Sequence, residues 1–458
     1  MTWSASVTSA ALGLVLAWQA PAAADAIGSP AVEARLDTVA EAYTPLHRFM
    51  GAVLVVEGDH RLLDKGYGLA DAEWGVANTP DVKFRIGSIT KQFTAALVLL
   101  LQQDGKLSIQ DPVSRYLPDA PASWRAITIA ELLGHTSGIP DFVQDPDFRV
   151  WSQSPHAWPE ELARFRDKPL NFAPGTRFDY SSSNYELLGA IIEKVSGESY
   201  GQLLRERIFG PLGMTNTGLD TDALILPKRA QGYHLEKDGS LALARSESMT
   251  IPWAAGGLYS TTGDLLKWEQ GLFGGRLLSP ASLKAMTTPG LNGYGLGVSV
   301  DTVDGLTTID HGGAIEGFTS YLTYVPERGL TVVVLSNVGG LSGVLADQLL
   351  QVSLGYAVVL PNERPAQPIS EQDLDRFTGT YSLKDAGLVV TFRRDGDVLE
   401  SLSGGTVFPT IYEGVKDGHP TFYCPTVDSE ITFIADAHGA MTSLILHLDG
   451  RDIRGDRP

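Results

Sequence analysis

Apolar and polar positions along this chain follow two regimes, strand-like near the ends and helix-like between them. Val32, Leu36 and Val39 fall on one face of a short helix that stops near Pro45. Residues 51–56, Gly-Ala-Val-Leu-Val-Val, then read as a strand. The turn Glu57-Gly58-Asp59 leads into a second strand through Leu62, continued by Gly66-Tyr67-Gly68, and the pair predicts a hairpin. A long apolar run over residues 95–101 closes at Asp104-Gly105 and predicts a buried helix.

From residue 126 to about 268 the spacing is mostly helical with loop punctuation. Thr128, with Glu131 three positions on, predicts a capping box at one helix start. A loop over 134–140 ends that helix, and a further helix over 185–195 sets Leu188, Ile191 and Ile192 on its apolar side. Strand character returns over 307–310, 319–325 and 331–335, followed by a helix from 341 to about 354. Strands at both ends of a segment with helices between predict an α+β fold. One antiparallel sheet is assembled from distant pieces and flanked by helices, and the helical middle is an inserted lobe.

Three prolines within residues 361–368 read as a stiff linker. Beyond it, short alternating runs separated by Asp395-Gly396 and Asp449-Gly450 predict a small all-β barrel or sandwich. The expected layout is a main domain over 27–360, a linker over 361–370 and an all-β domain over 371–458.

Composition narrows the class. At 458 residues and 43% apolar content the chain can bury more than one core, and its net charge of −19 disfavours nucleic acid and anionic membrane. Residues 2–26 contain no Lys or Arg; an apolar run over 10–18 precedes Pro21-Ala22-Ala23-Ala24-Asp25-Ala26. This reads as a secretory signal over 1–26 cleaved after Ala24 or Ala26, because nine apolar residues are too few to span a bilayer. The expectation is export to a bacterial periplasm or beyond, with no membrane span in the mature chain. Cys424 is the only cysteine, so no internal disulfide forms, and its setting Phe422-Tyr423-Cys424 suits a buried hydrophobe.

Two serine motifs compete for chemistry. Gly197-Glu198-Ser199-Tyr200-Gly201 has the form of a nucleophile elbow, but a helix precedes it where an elbow needs a strand, so Ser199 reads as part of a helix–helix turn. Ser88-x-x-Lys91 opens the apolar helix, and positions i and i+3 share a helix face. Lys91 can take the serine proton only as a free amine, which burial and nearby positive charge would favour. About one such motif arises by chance in a chain of this size, so the spacing alone decides nothing. Tyr180, before the 185–195 helix, could relay a proton. In Asp310-His311-Gly312-Gly313-Ala314 the glycines would let a substrate approach the backbone. Each of these, taken alone, is equally a turn or a bend in a sheet.

Their order changes the weighing. Ser-x-x-Lys, then Tyr-Ser-x before an apolar helix, then His-x-Gly on a late strand resembles the penicillin-recognising serine hydrolases: class C β-lactamases, D-Ala-D-Ala carboxypeptidases, D-aminopeptidases and related esterases. Residues 132–140, Pro211-Leu212-Gly213-Met214, residues 255–261 and Tyr294-Gly295-Leu296-Gly297 strengthen the likeness, which covers roughly 30–355. The resemblance implies a β-lactamase/transpeptidase-like fold and an acyl-enzyme on Ser88, with Lys91 as base and Tyr180 as proton shuttle. It also implies an oxyanion hole from the Ser88 and Ala314 N–H groups. Ser182 stands where the family carries an orienting Asn, and His311 where β-lactamases of this type carry Lys, with a role toward the substrate's carboxylate or polar end. Gly313 would line the substrate site, Phe142 would be either a wall of that site or a core residue, and the C-terminal unit resembles a lipocalin-like module. A small-molecule or peptide substrate containing a D-amino acid is expected, with no cofactor, no metal and no nucleic acid. An esterase, a weak β-lactamase and a non-turnover penicillin sensor are the alternatives.

Overall fold

Six strands form the main sheet: β1 (Gly51–Glu57), β2 (His60–Tyr67), β3 (Ser299–Val303), β4 (Leu306–Ile315), β5 (Phe318–Val325) and β6 (Leu330–Ser336). Their order is β3-β4-β5-β6-β1-β2, and each pairing is antiparallel. The joint between distant pieces is β1 against β6, in register from Gly51↔Ser336 to Glu57↔Leu330. Both strands are apolar and buried almost throughout, as expected where two faces are covered. The sheet assembled from both ends of a segment is therefore present. One element differs from its sequence reading: β4 does not stop at Asp310 but continues through His311 and both glycines, because residues 309–315 pair with 318–324 of β5.

This computed structural model describes residues 29–457, apart from 237–238, 365, 387, 404–405, 426–428 and 449–450. The expected signal segment lies outside the described residues. Among those described, no helix is long and apolar enough to cross a membrane.

The described chain divides into two compact units, residues 49–349 and residues 29–48 with 350–457. In the first, the lobe between β2 and β3 contains helix α1 (Thr90–Gln103) and helix α2 (Ser182–Ser196), with Thr128 capping its own short helix as the motif predicts. Short strands are interspersed, and Phe84–Arg85 pairs with Leu258–Ser260, which also pairs with Gly218–Leu219. The helix Thr262–Phe273 packs on β1 and β6, and its Trp268 stacks on Phe93 of α1 at 4.0 Å between centroids.

In the second unit nine antiparallel strands form a nearly closed barrel. The strands at the two ends of the order, Thr406–Pro409 and Ile411–Lys416, are separated in sequence by Thr410 alone. Phe377, Tyr381, Phe392, Phe422 and Phe433 meet inside it, and Cys424 is buried in the same core.

Candidate active site

Helix α1 is buried from Thr90 to Leu101, the condition of a helix enclosed on every side. Ser88 lies just before it, in the 3₁₀ turn Gly87–Ile89, and remains half-exposed. The turn is fixed from two directions. Ile86 donates to the Leu258 carbonyl at 2.9 Å, and Ser320 of β5 donates to the Ile86 carbonyl at 2.8 Å. Gly87 adopts φ +48°, and a Cβ there would come within 2.8 Å of the Ala314 nitrogen. The serine is thus seated directly against β4.

Gly313 is explained by the same contact. A Cβ on it would overlap the Ile86 carbonyl oxygen at 2.0 Å. The space expected for a substrate is taken by the serine's own turn. Gly313→Ala is expected to destabilise the protein by about 1–3 kcal/mol through this overlap, and to lower activity with it. Thermal melts check this, and an unchanged melting temperature would refute it.

Lys91 Nζ is 3.0 Å from Ser88 Oγ and donates to the Ala255 carbonyl at 2.9 Å. The amine is fully buried, and burial brings its pKa down to about 7. The expected neighbouring positive charge is not the cause. The titratable neighbours are the Asp141 and Glu186 carboxyls, which pull the other way when ionised. Burial holds those acids up as well, Asp141 to about 6 and Glu186 to about 8. Glu186 accepts the Ala255 N–H at 3.1 Å, so it steadies the carbonyl that holds Lys91.

Tyr180 precedes α2, and its ring centroid is 4.9 Å from Lys91 Nζ. Its hydroxyl is buried without a hydrogen bond of good geometry, yet it is near enough to Ser88 to feel that hydroxyl. Burial dominates and pushes the phenol well above its usual pKa. His135, which sequence reasoning did not single out, places this tyrosine. Its ring packs on Tyr180 at 4.2 Å, its Nδ1 accepts the Ser181 N–H at 3.1 Å, and its carbonyl accepts the Asp179 N–H at 2.9 Å. Burial holds His135 neutral.

His311 is buried on β4, and both ring nitrogens are engaged. Nδ1 lies 2.6 Å from the Gly312 carbonyl, which can only accept, so Nδ1 carries the proton. Nε2 is left to accept from the Tyr294 hydroxyl at 2.9 Å. Burial, with Lys91 adding to it, pushes the imidazole down to about 3. A neutral ring held in this way offers no cation to a carboxylate. Tyr294→Phe removes the donor that favours the neutral form, so the His311 titration followed by NMR is expected to move to higher pH. An unchanged titration would show that Tyr294 does not set the ring's state.

The remaining candidates are placed as follows. Ser182 begins α2, half-buried, with its N–H on Asp141 Oδ1 at 3.0 Å. Ala314 is exposed on β4 beyond the last β3 pairing, Ser299↔Asp310. Phe142 is not at the cleft surface. Its side chain is 1% exposed and packs against Phe148, Trp151 and Phe165, leaving no face for a ligand. Ser199 caps the short helix Tyr200–Leu204 and accepts from the Gln202 N–H at 3.3 Å, which accounts for it structurally. Among the described residues, no three His, Cys, Asp or Glu side chains are placed to share a metal ion.

A half-exposed hydroxyl, a buried amine with pKa near neutrality and a buried phenol therefore converge beside an open strand edge. That set can deprotonate a serine and hold an acyl group on it. A model of the Beta-lactamase family matches residues 37–354. The chain belongs to the β-lactamase family. Within that family it is 33% identical over 289 residues, 63% of this chain and 70% of the relative, to a Bacillus subtilis (strain 168) protein named as a penicillin-binding protein, PbpX. The D-amino acid amidase of Ochrobactrum anthropi SV3 is structurally similar, with TM-score 0.63 and 26% identity over 71% of this chain and 97% of that one. The octameric penicillin-binding protein homologue of Pyrococcus abyssi matches 92% of this chain and 99% of its own, with TM-score 0.66 and 25% identity. This β-lactamase-family chain is a serine hydrolase with a transpeptidase-like fold and an added C-terminal barrel.

Proposed function

We propose that the chain hydrolyses amides of D-amino acids through an acyl-enzyme on Ser88. The observation that carries this reading is the 3.0 Å contact between Ser88 Oγ and a buried Lys91 amine whose pKa is near 7. Lys91 takes the hydroxyl proton as Oγ attacks the carbonyl carbon, and the Ser88 and Ala314 N–H groups hold the developing oxyanion. Tyr180, kept protonated by burial, donates toward the departing nitrogen as the C–N bond breaks and regains a proton from Lys91, which returns to the free amine. Water then gives a proton to Lys91 as it attacks the ester carbon; the C–Oγ bond breaks, Ser88 Oγ takes that proton from Lys91, and the acid leaves.

The neutral His311 bears on substrate. β-Lactams and peptides ending in D-alanine present a free carboxylate, whereas an amino-acid amide does not. Similarity to the D-amino acid amidase supports the second class. Export to the periplasm or beyond, from the expected signal segment, completes the proposal.

The test offers purified protein D-phenylalanine amide, an N-acylated peptide ending in D-Ala-D-Ala, a short-chain nitrophenyl ester and a chromogenic cephalosporin. The amide is expected to have the largest kcat/KM. Faster turnover of the carboxylate-bearing peptide or the cephalosporin would overturn the substrate class. Ester hydrolysis without amide hydrolysis would favour an esterase.

A further inference from the structure

A solvent-open cavity of ≈ 740 Å³ lies in the lobe, and none of Ser88, Lys91, Tyr180 or His311 lines it. Its apolar wall includes Trp158, Trp253, Leu219 and Met249, with the two indoles 6.0 Å apart between centroids and tilted by 53°. The acidic side chains around it are Asp119, Glu161, Glu193 and Asp220, and the one basic side chain is Lys194. Two of these acids are already occupied. Asp220 pairs with Arg85 and Arg229, and Glu193 accepts the Tyr200 N–H at 2.8 Å. Glu161 is different: it is 2% exposed, and its Oε1 is buried with no hydrogen-bond partner.

We propose that this cavity binds a small organic cation, a primary ammonium carried on an aromatic or aliphatic group, with Glu161 as its counter-ion. An unpartnered buried carboxyl oxygen is costly, and an ammonium supplies three donors to satisfy it. The indole faces suit both the apolar part of such a ligand and its charge. An anion would meet an excess of carboxylates, and a wholly apolar ligand would leave the Glu161 oxygen unsatisfied.

Binding also has a proton signature. Burial and the nearby Glu186 push Glu161 up to about 10, so in the empty cavity the group is protonated at neutral pH. Seating an ammonium stabilises the carboxylate; the Glu161 O–H bond breaks, its proton goes to buffer, and the ion pair remains. One proton is released for each ligand bound.

The test is titration calorimetry on the full chain with phenethylammonium chloride, in two buffers of different ionisation enthalpy, with 2-phenylethanol as the neutral comparison. Saturable one-to-one binding is expected with Kd on the order of 1 mM or tighter, retained in Ser88→Ala, with release of close to one proton. Glu161→Gln is expected to weaken the ammonium by about tenfold or more while changing 2-phenylethanol by less than about twofold. Ala190→Phe, which fills the cavity from α2, is expected to weaken both. Equal affinity in Glu161→Gln, undiminished binding in Ala190→Phe, or no proton release would overturn the proposal. The proton count uses the unaltered protein, so it decides even if a variant fails to fold, and none of these readouts depends on hydrolysis.

Discussion

Ser88→Ala is expected to lower kcat/KM for each hydrolysed substrate by at least about 10⁴-fold, leaving only what binding and the oxyanion donors provide. The residue is half-exposed in a turn held by the backbone contacts of Ile86, so the fold is not expected to depend on its hydroxyl. Thermal melts should match within about 0.5 kcal/mol. Mass spectrometry after incubation with substrate should show no acyl adduct in the variant. Ser199→Ala provides the contrast: it loses a helix cap, costs about 1 kcal/mol, and keeps its activity. Activity surviving in Ser88→Ala and lost in Ser199→Ala would assign the nucleophile to the other motif.

Lys91→Met is expected to lose about 10³–10⁴-fold in kcat/KM, since Tyr180, the other titratable group shown beside Ser88, is kept protonated by burial. In the unaltered protein, kcat/KM should fall about tenfold per pH unit below the Lys91 pKa of about 7, because the protonated amine cannot accept. A flat profile from about pH 5 to 9 would sink the assignment.

The same residue has a stability consequence of opposite direction. Its folded pKa lies below the unfolded value of about 10.4. Between about pH 7 and that value, the folded state therefore binds fewer protons than the unfolded state, and stability rises with pH across the window. At neutral pH the buried amine is a net cost, and Lys91→Met is expected to gain roughly 1–2 kcal/mol while losing catalysis. Urea or thermal unfolding checks this; a destabilised variant would show that the contacts with Ser88 and Ala255 outweigh the burial penalty.

Local and ordered features of this site were legible in the chain. The spacing of Ser88 and Lys91 places them on one face wherever a helix starts, and the apolar run after them can only form a buried helix. Apolar strands at both ends of the segment required a sheet joining distant pieces, and β1 against β6 is that joint. The order of the Ser88, Tyr180 and His311 motifs named the family.

What stayed hidden depends on distances between residues far apart in sequence. Phe142, by family resemblance a pocket wall and equally a core residue, is settled as core only because three aromatic rings from later elements enclose it. Gly313 looked like room for a substrate, and the room is filled by a turn more than two hundred positions earlier. His311 looked like a contact for the substrate's carboxylate or polar end; that Tyr294 and the Gly312 carbonyl take both its nitrogens, and that burial keeps it neutral, could not be read from the chain.

The sequence by itself determined which groups can react and the elements that present them, because helix spacing and apolar pattern act over a few residues. Tertiary structure alone decided their protonation. A pKa follows from how much water is excluded and which charges face the group. For Lys91 those are the enclosure of α1 and the carboxyls of Asp141 and Glu186, each brought there by a different segment.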